Sequence, residues 1–137
     1  MKIVMLGAGA LGSTIGGTLA MGGNDVYFVD MWQEHVDFIN KNGLHMTNEK
    51  EDWYVKVDAR TAADTVGEAD LVIVLVKSFA TKQAVEQLQQ TNVIGKHTLV
   101  MSLQNGLGNE ETIASVIGSE NVISGKTYVG GRDRKSV

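Results

Sequence analysis

The segment Lys2 to Gly12 reads KIVMLGAGALG, a short apolar run that leads into three glycines spaced Gly7-x-Gly9-x-x-Gly12. Apolar residues on both faces are typical of a buried parallel strand. The next residues, Ala10 to Met21, repeat large apolar side chains at intervals of four, which predicts a helix. A glycine triplet between a strand and a helix is the context in which such a motif binds a dinucleotide.

Each glycine of the motif has a backbone role. Gly7 is expected to make the tight turn, Gly9 to let the backbone approach a pyrophosphate, and Gly12 to let helix and strand pack closely. The helix start offers free N–H groups and the positive end of its dipole to phosphates. We therefore expect this loop to bind cofactor through Gly7, Ala8, Gly9, Ala10, Leu11 and Gly12.

The rest of the chain alternates predicted strands with predicted helices. Such alternation predicts an α/β, doubly wound parallel-sheet Rossmann domain. A charged turn at Asn48 to Asp52 adds a hairpin-like excursion before the third strand. The predicted strands are Val26 to Val29, Tyr54 to Val57, Leu71 to Val76, Thr98 to Leu103 and Val122 to Ser124; the predicted helices are Trp32 to Asn42, Phe79 to Gln90 and Asn109 to Ile117.

The apolar stripes of these helices predict which side chains face the sheet. Val36 and Ile39 are expected to point inward from the second helix, with Trp32 as a further candidate. Phe79, Val85 and Leu88 form the expected apolar stripe of the third helix.

Composition limits the function classes. The chain has 137 residues, a net charge of −4 and no cysteine, which indicates one domain without disulfides or thiolate metal sites. The negative charge disfavours non-specific nucleic-acid binding, and no apolar run approaches the roughly 18 residues that span a membrane. The absence of cysteine agrees with a cytoplasmic location.

The three histidines, His35, His45 and His97, have neither a partner acid nor metal-ligand spacing. We therefore predict no metal site. His35 lies in the amphipathic second helix, and we expect it at the surface.

Asp30 follows the second strand, about 20 residues beyond the glycine loop, where an acidic side chain accepts hydrogen bonds from the adenosine ribose. A carboxylate there would repel the extra phosphate of NADP, and no lysine or arginine follows before Lys41. Asp30 therefore favours NAD, although a solvated aspartate at a strand end is the alternative.

Two further polar segments follow predicted strands. Lys77-Ser78 comes just after LVIVLV, and Gln104-Asn105-Gly106-Leu107-Gly108 comes after TLVMSL. Ligands of parallel sheets bind beyond the carboxyl ends of the strands, so Lys77 is a candidate for cofactor phosphate or ribose. Asn105 is a candidate for nicotinamide ribose and substrate. The alternatives are a surface lysine and an ordinary Asn-Gly turn.

Taken together, these segments resemble the ketopantoate reductase (2-dehydropantoate 2-reductase) family. The resemblance covers nearly the whole chain and implies hydride transfer from NADH or NADPH to a 2-oxo acid, such as 2-dehydropantoate reduced to pantoate. It also implies that Lys77 contacts the cofactor, that Asn105 touches ribose and substrate, and that Gly131 lies near the nicotinamide. The matching segments are KIVMLGAGALGSTIGG (Lys2 to Gly17), Asn42-Gly43-Leu44, ADLVIVLVKSF (Ala69 to Phe79) and SLQNGLGNEE (Ser102 to Glu111).

The sequence departs from the family in two respects. Members that use NADPH carry an arginine after the second strand, whereas this chain has Asp30-Met31, which is more similar to the NAD-dependent D-2-hydroxyacid dehydrogenase branch. Family members also continue into a helical domain that supplies the catalytic lysine. We therefore expect cofactor binding and no catalytic residue in this chain. We assign residues 1–132 to the Rossmann domain and interpret Asp133 to Val137 as a non-native tail that resembles a translated sequencing adapter; a solvated basic tail is the alternative.

Two other functions remain open from the sequence. A free-standing nucleotide-sensing Rossmann module would need no catalytic domain, but it would not need the motif at Gln104 to Gly108 either. A 6-phosphogluconate or glycerol-3-phosphate dehydrogenase shares the glycine loop and fits Lys77-Ser78 less well. The sequence leaves the oligomeric state open.

Overall fold

A computed structural model of the chain describes residues 1–104 and 108–125. The strands are β1 (Lys2–Leu6), β2 (Asp25–Val29), β3 (Leu44–Thr47), β4 (Asp52–Val55), β5 (Asp58–Arg60), β6 (Leu71–Val74), β7 (Leu99–Ser102) and β8 (Val122–Ser124). The helices are α1 (Ala10–Met21), α2 (Gln33–Asn42), α3 (Thr81–Gln89) and α4 (Asn109–Ile117), with a 3₁₀ turn at Ser78–Ala80 before α3.

The central sheet of the described residues is parallel throughout, in the order β5-β2-β1-β6-β7-β8. The chain moves outward from β1 to one edge and then returns through β6 to build the other half. This is the strand order of a dinucleotide-binding sheet, with its switch point between β1 and β6. The predicted doubly wound Rossmann fold is confirmed.

Strand β1 shows why the sheet is covered on both faces. Ile3 and Met5 are buried in a cluster with residues of α2, and Val4 and Leu6 are buried in a second cluster with residues of α3 and α4. Successive strand side chains point to opposite faces, so an apolar run such as IVML needs a helical layer on each side.

Helix α1 meets the sheet through glycine rather than through its large side chains. Its buried residues are Gly12, Gly16 and Gly17, whereas Leu11, Ile15 and Leu19 are half-buried. A Cβ atom on Gly16 would lie 2.4 Å from Cζ of Phe28. This glycine face therefore lets α1 pack closely against β1 and β2.

The predicted third strand at Tyr54 to Val57 is wrong. Residues Asp52–Val55 instead form β4, which pairs antiparallel with β3 in a separate hairpin, and the third parallel strand is β5. Strand β5 has three residues, of which only Ala59 is buried. Such a short strand carries no apolar pattern for the sequence to reveal.

Two predicted inward side chains point to solvent. Trp32 is 62% exposed and precedes α2, and Phe79 is 91% exposed within the 3₁₀ turn. Both helices begin one or two residues later than predicted, so these aromatic residues lie outside the helical stripes. The predicted inward positions Val85 and Leu88 are confirmed as buried, and Thr81 is the buried residue at the start of α3. In the described part of the chain, no helix is long and apolar enough to cross a membrane.

Candidate functional site

A cleft of about 1260 Å³ opens at the switch point, where the carboxyl ends of β1 and β6 diverge. Crevices at this position are the general ligand sites of open parallel sheets. Residues from four separate segments of the sequence line this cleft: the glycine loop Gly7 to Gly12, Asp30 with Met31, Lys77 with Ser78, and Gln104.

Gly7 turns the chain directly out of β1. Its φ is +113°, a conformation that side chains rarely adopt, and a Cβ atom would lie 3.1 Å from the backbone of Leu75 and Val76. The N–H of Gly7 donates to the carbonyl of Val29 at 2.9 Å. The turn therefore requires glycine on conformational and steric grounds.

The other two glycines differ in their surroundings. A Cβ atom on Gly12 would lie 2.5 Å from the carbonyl oxygen of Gly7, so the helix start is packed against the turn. A Cβ atom on Gly9 would meet nothing within 4 Å. Gly9 lines the cleft, which leaves open space beside its backbone for a ligand.

The half-buried carboxylate of Asp30 holds two backbone amides. Its Oδ2 accepts from the N–H of Ala8 at 2.8 Å, and its Oδ1 accepts from the N–H of Trp32 at 3.0 Å. A carboxylate has about four acceptor positions, so about two remain for a ligand. Asp30 thus joins the glycine loop to the end of β2.

The prediction that His35 lies at the surface holds only in part, and sequence reasoning missed its contact with the loop. It is half-buried, and its Nε2 lies 2.8 Å from the carbonyl oxygen of Ala8. Its ring stacks on Trp32, with centroids 5.4 Å apart. Helical side chains lean toward the helix N-terminus, so a polar residue in the first turn of α2 was the available signal for this contact.

Lys77 follows β6 and lines the same cleft as the glycine loop. Its side chain is exposed, and its backbone carbonyl accepts from the N–H of Ala80 at the start of the 3₁₀ turn. Lys77 is thus an exposed cationic residue in the lining of the cleft.

Gln104 ties the ends of β6 and β7 together, a role that sequence reasoning also missed. Its Nε2 donates to the carbonyl of Val76 at 2.8 Å and to Oγ1 of Thr81 at 2.6 Å. Its Oε1 accepts from Oγ of Ser102 at 3.0 Å. Because the oxygen and the nitrogen of its carboxamide are both hydrogen-bonded to other residues of the chain, Gln104 has a structural role.

The candidate residues Asn105 and Gly131 lie outside the described residues, as do the neighbouring Gly106 and Leu107 and the tail at Asp133 to Val137.

Arg60 lies beside Asp30 along the sheet, since its carbonyl accepts from the N–H of Asp30 at 2.9 Å. Its guanidinium is engaged elsewhere: it donates to both carboxylate oxygens of Asp58, at 2.7 and 3.1 Å, and to Oγ1 of Thr65. The hydrogen bond to Asp58 raises the pKa of Arg60. Arg60 also lies over the ring of Tyr27, whose pKa is raised by burial and then by Asp25.

Strand order, glycine turn and cleft together define a Rossmann-type domain with its ligand crevice at the switch point. A comparison with protein families extends this class. The family model described as "Ketopantoate reductase PanE/ApbA" matches residues 3–136. The chain therefore belongs to the ketopantoate reductase PanE/ApbA family.

Curated relatives carry the name 2-dehydropantoate 2-reductase. The protein from Streptococcus pyogenes serotype M3 is 34% identical over 127 residues, which cover 93% of this chain and 40% of the relative. The protein from Pyrococcus abyssi is 42% identical over 113 residues, which cover 82% of this chain and 36% of the relative. The chain thus spans about 40% of the length of the curated relatives that it matches.

Solved structures with a similar fold include a ketopantoate reductase and a D-mandelate dehydrogenase. A PanE/ApbA family ketopantoate reductase from Ralstonia eutropha has a TM-score of 0.81 at 36% identity, covering 90% of this chain and 40% of that one. D-Mandelate dehydrogenase, in a complex with NADH and anilino(oxo)acetate, has a TM-score of 0.84 at 33% identity, covering 93% and 41%.

Proposed function

We propose that this chain is the cofactor-binding domain of an NAD(P)-dependent 2-oxo acid reductase. The observation that carries the proposal is the switch-point cleft, which brings an open glycine turn, a partly occupied carboxylate and an exposed lysine to one ligand site. Membership of the ketopantoate reductase family supports the reaction class. Because the relatives are much longer, we propose cofactor binding for this chain. We propose reduction of the 2-oxo acid only for a longer enzyme that contains this cofactor-binding domain.

The residues of the cleft fit a dinucleotide. The open backbone at Gly9 and the start of α1 would hold the pyrophosphate. The remaining acceptor positions of Asp30 would take the adenosine ribose hydroxyls. Lys77 would neutralise phosphate or bind ribose. By resemblance, Asn105 would contact the nicotinamide ribose and the substrate, and Gly131 would lie near the nicotinamide end.

The bound cofactor would supply a hydride to the carbonyl carbon of the 2-oxo acid. The proposed role of this chain is to bind and orient that cofactor. The name shared by the curated relatives makes 2-dehydropantoate the leading substrate.

We propose a preference for NADH over NADPH. A carboxylate at Asp30 would repel a 2′-phosphate, and its neighbour in the cleft is the uncharged Met31. Arg60 is the nearest arginine along the sheet, and its guanidinium is committed to Asp58 and Thr65. The positive charge among these side chains, on Arg60, is therefore already paired with Asp58.

This preference favours a second candidate substrate class, the 2-oxo acids whose reduction gives D-2-hydroxy acids. The structural similarity to an NADH complex of D-mandelate dehydrogenase supports it. In this alternative the cofactor site is unchanged, and only the acid that receives the hydride differs.

Calorimetric titration of the 137-residue chain with NADH and then with NADPH tests the proposal. We expect both cofactors to bind, with NADH at least tenfold tighter. Tighter binding of NADPH would overturn the assignment of Asp30. A folded chain that binds neither cofactor would contradict the proposed function.

A further inference from the structure

The peptide groups around Ala8 are held by side chains from three elements. The N–H of Ala8 donates to Asp30 after β2, as described above. The carbonyl of Ala8 accepts from His35 of α2 at 2.8 Å and from Oγ of Ser13 of α1 at 3.1 Å. Ala8 itself is 1% exposed, and neither His35 nor Ser13 is among the residues that line the cleft.

Holding this carbonyl fixes the direction of the next amide. The described residues contain no cis peptide bond, and in a planar trans peptide the C=O and the following N–H point in opposite directions. The N–H of Gly9 therefore points away from His35 and Ser13. Within the described chain this N–H has no hydrogen-bond acceptor, and Gly9 lines the cleft.

His35 is itself held in place. Its ring stacks on Trp32, and the N–H of Trp32 donates to the same carboxylate that holds Ala8. The contacts form a closed ring of four residues: Asp30, Trp32, His35 and Ala8. Because a carbonyl can only accept, Nε2 of His35 must carry the proton in this arrangement.

We propose that His35 is a positioning residue for the cofactor phosphates, which acts by turning the N–H of Gly9 into the cleft. This inference rests on the proposed function, since it names the device that aims the glycine loop at its anion. His35 touches the loop from below and does not contact the cofactor. Its removal should weaken phosphate binding and leave the adenosine contacts of Asp30 in place.

The test compares His35→Leu, which has no donor, with His35→Gln, whose amide N–H reaches a similar distance. His97→Leu is the matched control, because His97 is exposed in the loop before β7, at the opposite end of the strands. Thermal unfolding first establishes that each variant folds. Calorimetry then gives the affinity for NADH, and NMR titration gives the affinity for adenosine, which lacks phosphate.

We expect His35→Leu to bind NADH about tenfold more weakly, the loss expected for one hydrogen bond in a binding site. Its affinity for adenosine and the behaviour of His97→Leu should stay within about twofold of the unmodified chain, and His35→Gln should recover most of the loss. Equal NADH affinity of His35→Leu and the unmodified chain would overturn the inference alone. An equal loss of affinity for adenosine in His35→Leu would also overturn it, because such a loss would indicate a general structural role of His35. An unmodified chain that binds neither NADH nor NADPH would overturn the proposed function and this inference with it.

Discussion

At the scale of the residue, Asp30 combines a structural and a proposed binding role. Its carboxylate accepts from two backbone amides, one in the glycine loop and one at the start of α2. The same group faces the cleft with acceptor positions to spare. Removing it should therefore affect stability and cofactor choice together, for separate physical reasons.

Asp30→Ala should lose the preference for NADH and bind NADH at least about tenfold more weakly, because the ribose loses its charged acceptor. It should also lower the free energy of unfolding by about 1–3 kcal/mol, because the N–H groups of Ala8 and Trp32 lose their partner. Calorimetry and urea unfolding measure the two effects. Asp37→Ala, at an exposed position in α2, is the control. Unchanged cofactor preference in Asp30→Ala would contradict the assignment.

Gly9→Ala and Gly12→Ala should separate binding from folding. Gly9 has open space and a negative φ, so alanine should change stability by less than about 1 kcal/mol. The added methyl would occupy the phosphate subsite and weaken NADH binding about tenfold or more. At Gly12 the methyl meets the carbonyl of Gly7, so unfolding should become easier by about 1–3 kcal/mol. A stable Gly9→Ala variant that binds NADH normally would contradict this account.

At the scale of the element, two devices set the distances across the cleft. The glycine face of α1 lets the helix approach β2. The carboxamide of Gln104 fixes the end of β7 against the end of β6 and the start of α3. One device positions α1, and the other positions the turn that carries Lys77.

Gly16→Ala should lower the free energy of unfolding by about 1–3 kcal/mol, because its Cβ would overlap the buried ring of Phe28. Gly22→Ala is the matched control, since its nearest neighbour would be 3.5 Å away and its φ is −79°. Thermal or urea unfolding measures both. Equal stability of the two variants would show that α1 does not depend on a close glycine contact.

Gln104→Leu should lower the free energy of unfolding by about 2 kcal/mol. The substitution leaves the hydroxyl of Ser102, which is buried, without its acceptor, and the carbonyl of Val76 without its donor. Gln83→Leu, at an exposed position in α3, should change stability by less than about 0.5 kcal/mol. A similarly small change in the free energy of unfolding for both variants, measured by urea unfolding, would contradict the bridging role of Gln104.

At the scale of the whole molecule, regular patterns were predictable from the sequence and isolated contacts were not. Runs such as Leu71 to Val74 announce buried strands because both faces must be apolar. Strand β5 escaped prediction because its pairing depends on β2 beside it rather than on its own residues. His35 and Gln104 escaped because their partners lie 27 and 28 positions away in the sequence.

The measurement that tests the central claim most directly is an NADH titration of the chain followed by amide NMR. The account predicts that the largest shifts fall on the amides of Gly9, Gly12 and Lys77, around the switch-point cleft. Amides at the opposite ends of the strands, such as those of Gly67 and His97, should stay unchanged. Shifts centred on those distant residues, or no shift in a folded chain at millimolar NADH, would contradict the account.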